Sequence, residues 1–159
     1  MKEIPLTQDQ TALVDDSDYF DLIIFNWCLS RRDNKLYAGR GIKIKGHSKT
    51  ILMHRQILNA PDDMQIDHIN GNGLDNRRNN LRLVTSSQNH FNQHKQQRST
   101  SSRYKGVYWH KRDKVWVVGI QAFGIYYYIG SFTNEQEAAL AYNEAANNYH
   151  GEYAKLNEI

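Results

Sequence analysis

Between Gln65 and Asn92 the chain alternates short apolar runs with breaks rich in asparagine and glycine, and their order predicts strand, loop, strand, helix. Ile66 and Ile69 flank an Asp67-His68 pair, Asn70-Gly71 and Asp75-Asn76 are turn-forming dipeptides, and Leu81 to Val84 is a short apolar strand. Thr85 to Gln88 has the spacing of a helix capping box. Such a fold brings Asp67, His68, Asn80 and Asn89 toward one point. Upstream, Ser17 to Phe25 is the one plausible helix, with Ser17 as cap and Tyr19, Phe20, Ile23 and Ile24 as its apolar side. Trp27 to Ser30, Lys35 to Ala38 and Gly41 to Lys45 read as strands, with Asp33-Asn34 a hairpin turn. Ile51 to Leu58 is apolar around a His54-Arg55 pair, and Pro61-Asp62-Asp63 ends that element.

After a polar stretch the pattern changes. Lys105 to His110, Val115 to Gln121 and Tyr126 to Phe132 each alternate, with turns at Arg112-Asp113 and Phe123-Gly124. The period of two puts Val107, Trp109, Trp116, Val118, Ile120, Tyr127 and Ile129 on one face, and Tyr108, His110, Val117, Gly119, Gln121, Tyr126 and Tyr128 on the other. Thr133 to Gln136 has capping-box spacing, and Ala138, Ala141, Tyr142, Ala145 and Tyr149 then recur at helical intervals up to Gly151. The chain therefore reads as α+β: a small β-rich lead-in over 1–50, a ββα module over 51–94, a basic Ser/Gln-rich linker over 95–102, and a three-stranded antiparallel sheet with one helix over 103–159.

A net charge of +3 is only a mild bias toward polyanions, and its distribution says more. From Gln93 to Lys114 there are seven Lys or Arg against one acid, Asp113. The single cysteine, Cys28, excludes an internal disulfide framework and any multi-cysteine zinc site, and suits a reducing compartment. No apolar leader and no run near eighteen apolar residues is present, so the expected setting is the cytosol of a bacterial or phage-bearing cell, with no membrane partner.

The chemistry sits in the first module. Phosphodiester hydrolysis needs an activated water and a neutralised leaving oxygen, and a positioned His with a divalent cation supplies both. His68 is the candidate base. Oxygen ligands suit a hard cation such as Mg²⁺, or another divalent ion such as Mn²⁺, and Asp67 with the side-chain oxygen of Asn89 fits that role. Arg77, Arg78 and Arg82 are candidates to clamp a phosphate backbone. His90 and His94 lie at i, i+4 without an acidic or cysteine partner, which argues against a second metal site.

Asp67-His68, Asn80 twelve residues after the His and Asn89 twenty-one after it, with the Asn-Gly-Asn loop between, resemble the HNH nuclease family in its Asn-variant form. The resemblance implies a ββα-metal fold and a homing-type endonuclease, with catalytic roles for His68 and Asn80. Asn80 would hydrogen-bond across the hairpin and hold His68 in register. It also puts Arg55 within reach of a phosphate and His54 near the site. The segments Leu6 to Gln8, Ala12 to Tyr19, Phe25 to Ser30 and Tyr37 to Arg40 together look like the region often found before phage-type HNH modules, and a scaffold for the hairpin is the expected role. The C-terminal runs YKGVYW, WVVGIQ, YYYIGSF, EAALAYNEAA and GEYAKLN resemble the AP2 DNA-binding domain, whose uncovered sheet face lies in the major groove. Lys105, Tyr108, His110, Gln121, Tyr126 and Tyr128 would then face double-stranded DNA. Where plant-type members carry arginines and a tryptophan, this face is mostly Tyr, Gln and His. No small-molecule cofactor is expected. Two further readings stand beside the nuclease: a DNA-binding or regulatory protein with a relic HNH fold, and a protein-interaction module using the tyrosine row.

Overall fold

The computed structural model describes residues 1–32, 35–93 and 100–159, so the expected turn at Asp33-Asn34, His94 and most of the linker, Lys95 and Arg98 included, lie outside the described residues. The architecture is mixed α+β, and the chain divides into two compact units, Met1–Ser86 and Ser87–Ile159.

In the first unit β1 (Lys2–Pro5) and β2 (Thr11–Val14) form an antiparallel pair. The helix that follows, α1, runs from Asp16 to Ile23, with Asp15 and not Ser17 at its N-cap. The carboxylate of Asp15 accepts the Arg78 amide at 2.8 Å, and Asp16 and Asp18 put negative charge on the first turn, where the helix dipole favours it. Leu22 is its buried residue, and Phe20 and Ile24, expected on the apolar side, are exposed. The two expected strands over 35–45 are one, β4 (Lys35–Ile44), between β3 (Cys28–Arg32) and β5 (His47–Leu52). They merge because the first half of β4 pairs with β3 and the second with β5, both meeting it at Gly39. Then come α2 (Met53–Leu58), β6 (Gln65–His68) and β7 (Leu81–Val84), the last two antiparallel with Asp67 opposite Arg82. Ile4, Ala12, Val14, Leu22, Trp27, Ala38, Met53, Ile57 and Leu81 pack into one core, so the lead-in, α2 and the hairpin bury their apolar faces together.

The short helix α3 (Ser86–Phe91) lies in the second unit from its second residue on, and that unit holds a sheet ordered β10-β9-β8, from β8 (Val107–His110), β9 (Val115–Ala122) and β10 (Ile125–Phe132). Helix α4 (Glu135–His150) covers the face carrying Val107, Val118 and Ile120, and Trp116, Tyr127 and Ile129 pack partly buried against the same core. Its cap is Asn134, not Thr133: Asn134 Oδ1 accepts from the amides of Gln136 and Glu137 at 2.7 and 3.2 Å. The buried stripe takes in Ala139 and Ala146 beside Ala138, Tyr142 and Ala145. Asn157 ties the terminal segment down: its side chain pairs with the backbone of Lys105, and its backbone pairs with the side chain of Asn143.

Candidate active site

The loop between β6 and β7 is built by its own polar side chains. Asn70 Oδ1 accepts the Asn72 amide at 2.9 Å, and Asn72 Oδ1 accepts that of Leu74 at 3.0 Å, so the repeated asparagines make successive Asx turns. Asn80, in a 3-10 turn over Arg78–Asn80, closes the loop from the other side. Its Oδ1 accepts the Asn70 amide at 3.0 Å, and its Nδ2 donates to Asn70 Oδ1 at 3.1 Å and Asp75 O at 2.8 Å. Asp75, buried, accepts from Asn70 Nδ2 and, through both carboxylate oxygens, from Arg77 at 2.7 and 2.6 Å. Those bonds hold its carboxyl below the usual range.

Strand β2 supports the loop from outside. The Leu13 amide donates to Leu74 O and Leu13 O accepts the Asn76 amide, both at 2.8 Å. Gly73 lies flat against β4, where a Cβ would stand 2.3 Å from Leu36 O and 2.6 Å from the Tyr37 ring.

His68 ends β6, buried, with its Nε2 3.5 Å from Asn76 Oδ1 and its carbonyl accepting the Gly71 amide at 2.8 Å. Burial pushes its imidazole below the ordinary value, while the Asn76 contact and the carboxylates of Asp67 and Asp75 pull the other way. The ring of His54, from the first turn of α2, stands edge-on 5.0 Å away at 81°. Burial, with His68 and Arg55 adding repulsion, drives His54 down to about 3. Its Nδ1 is enclosed without a hydrogen-bond partner. Asp67 accepts from Arg82 Nε and Nη2 at 2.9 and 2.8 Å. His68, Asp67 and Asn80 are thus brought together around one hairpin; Asn89 falls on α3, which belongs with the second unit.

A family model described as HNH endonuclease matches residues 59–91, which span this hairpin. An uncharacterised HNH endonuclease of Acanthamoeba polyphaga mimivirus is 38% identical over 132 residues, covering 79% of this chain and 67% of the relative. The chain belongs to the HNH endonuclease family. No solved structure matches it.

Within the HNH hairpin, the donor set can be tested against the divalent cation that HNH nucleases generally use. Among the described residues no group of three or more His, Cys, Asp and Glu side chains gathers. The carboxylate of Asp67 precedes His68 on β6, which fits a hard cation held by few protein oxygens together with waters and substrate phosphate. In the structure that carboxylate is shared with Arg82.

The four arginines expected on phosphates also tie the HNH unit together. Arg55 donates to the carbonyls of Met64, Ala60 and Pro61 at 3.0, 3.1 and 2.6 Å, and Arg78 grips Asp18 at 2.8 and 2.7 Å. Arg77 and Arg82 hold Asp75 and Asp67.

In the second unit Tyr108, Tyr126 and Tyr128 are 45, 57 and 63% exposed on the sheet face away from α4, and Gln121 is exposed beside them. Tyr126 lies over Gly119, and burial with a bond to Tyr108 raises its phenol above the ordinary value. His110 Nδ1 stands 3.2 Å from Asp113. Lys105 is turned elsewhere: its Nζ donates to the carbonyls of Phe91 and Gln93 at 2.6 and 2.7 Å, and burial lowers it to about 8.

Sequence reasoning read Asp75 and Asn76 as turn formers only, and passed over Tyr37 and Leu13. The spacing of Asp75 and Arg77 was a usable signal for an ion pair, of which the carboxylate is buried and the guanidinium half-exposed; for Tyr37, a tyrosine on an ordinary strand, there was none.

Proposed function

We propose that the protein is a metal-dependent DNA endonuclease of homing type, in which His68 takes a proton from the attacking water. The observation that carries this is a buried imidazole, held neutral near pH 7 by desolvation, at the end of β6 beside the carboxylate of Asp67. The water oxygen attacks phosphorus as its proton passes to His68, the bond to the 3′ oxygen breaks, and that oxygen takes a proton from solvent, leaving 5′ phosphate and 3′ hydroxyl ends. A divalent cation held by Asp67 and the scissile phosphate would neutralise charge on the leaving oxygen. Asn80 fastens Asn70 to Asp75 and so keeps the loop that follows His68 in register. Arg82 orients Asp67, while Arg55, Arg77 and Arg78 would meet phosphates with the donors their partners leave over.

The second unit would bind double-stranded DNA in AP2 fashion, offering Tyr108, His110, Gln121, Tyr126 and Tyr128 to the major groove. Lys105, committed to the end of α3, contributes there by shaping the unit.

Removing a general base costs about 10²- to 10⁴-fold, so His68→Ala should cut plasmid at least about a hundredfold more slowly at unchanged DNA affinity. A metal titration of Asp67→Asn should show weakened Mg²⁺ activation. Asn89→Ala tests in the same way the second ligand expected from the sequence. The ion pair of Asp67 with Arg82 favours a second reading, a DNA-binding protein with a relic hairpin, under which His68→Ala changes no activity.

A further inference from the structure

His54 is a buried polar residue that the hydrolysis described above does not use. It opens α2 at 6% exposure, and its enclosed Nδ1 has no hydrogen-bond partner. The ring meets His68 at 5.0 Å and Tyr37 at 5.5 Å, in both cases edge-on. Tyr37 in turn lies 5.9 Å from the His68 ring, so the three rings close a triangle with His68 at one corner. Tyr37 is itself pinned, because the Gly73 backbone approaches too closely for a Cβ. The contact from His68 Nε2 to Asn76, at 3.5 Å, is long for a hydrogen bond.

We propose that His54, with Tyr37, is a positioning residue for His68: the two rings form an aromatic corner that fixes the rotation of the His68 imidazole. The proposal rests on the reading of His68 as the base. Misplacing a reacting group by about 1 Å can cost about a hundredfold in rate, so an unrestrained base should slow the chemical step and spare DNA binding.

The test compares full-length wild type, His54→Ala and His54→Phe in plasmid cleavage, alongside NMR of the ¹⁵N- and ¹³C-labelled His68 ring without DNA. His54→Ala should lower kcat about tenfold or more at unchanged KM and broaden or double the His68 signals. His54→Phe, which keeps a flat ring of similar size, should restore both. Should His54→Ala fail to fold, His54→Leu takes its place, filling the volume without a ring. Wild-type kcat in the ring-less variant would overturn the proposal. So would His54→Phe being as slow as His54→Ala, since the nitrogen and not the ring would then be what matters. If wild type cuts nothing, the nuclease reading fails by itself, and the NMR decides positioning alone. Order lost without the ring and kept with Phe supports the corner, and identical His68 signals in every variant overturn it.

Discussion

At His68 and His54 two buried imidazoles share one small volume, and burial keeps both neutral where an exposed histidine would be partly charged. For His54 the consequence for stability has a definite sign. The unfolded chain takes up its proton near 6.5, the folded one only at about 3, so acidification through that window favours unfolding. Urea melts should show about 1 kcal/mol lost to this group between pH 6.5 and about 5.5, a loss that His54→Phe removes. The same substitution should raise stability at pH 7, because it deletes a buried nitrogen that has no partner. Asn80 is the opposite case, with three side-chain hydrogen bonds across the loop. At about 1 kcal/mol each, Asn80→Ala should cost about 2 to 3 kcal/mol in a denaturant melt, and slow cleavage further than the stability loss explains.

At the scale of elements, the second unit depends on one close approach. Gly106 has a φ of +74°, and a Cβ there would stand 2.0 Å from the ring of Tyr142, itself buried between sheet and helix. Left-handed strain and overpacking add, so Gly106→Ala should destabilise this unit by about 2 to 4 kcal/mol, read as a lowered Tm. Elements with strong local signals were legible in the sequence. The period of two along 105–132 separated the face under α4 from the tyrosine face, and the hairpin carrying Asp67 and His68 followed from its turn residues. What was not legible came from partners distant along the chain. Ser17 lost the cap of α1 because Asp15 is held by Arg78, sixty-three residues on, and Thr133 lost that of α4 to an asparagine with better reach. That Asp67, His68 and Asn80 belong to one hairpin was legible, but what supports that hairpin was not. Neither Leu13 nor Tyr37 carries a local pattern that points to a loop sixty or thirty-six residues away.

At the scale of the whole molecule, a net charge of +3 is small, so under the proposed function DNA affinity would fall to local clusters such as Lys111, Arg112 and Lys114 at the β8–β9 turn. Binding through about four phosphate contacts should weaken about a hundredfold between 50 and 200 mM salt. Tyr126→Ala and Tyr128→Ala should lower affinity without changing that slope, since neither side chain carries charge; a filter-binding series over salt checks both. Among the described residues no helix is long and apolar enough to cross a membrane. Whether His68 is the base of a DNA-cutting site is decided on supercoiled plasmid. Wild type and His68→Ala are incubated with Mg²⁺ and with chelator. Metal-dependent nicking or linearisation by wild type alone is expected, with both proteins binding DNA equally. Cleavage by His68→Ala at the wild-type rate would contradict it.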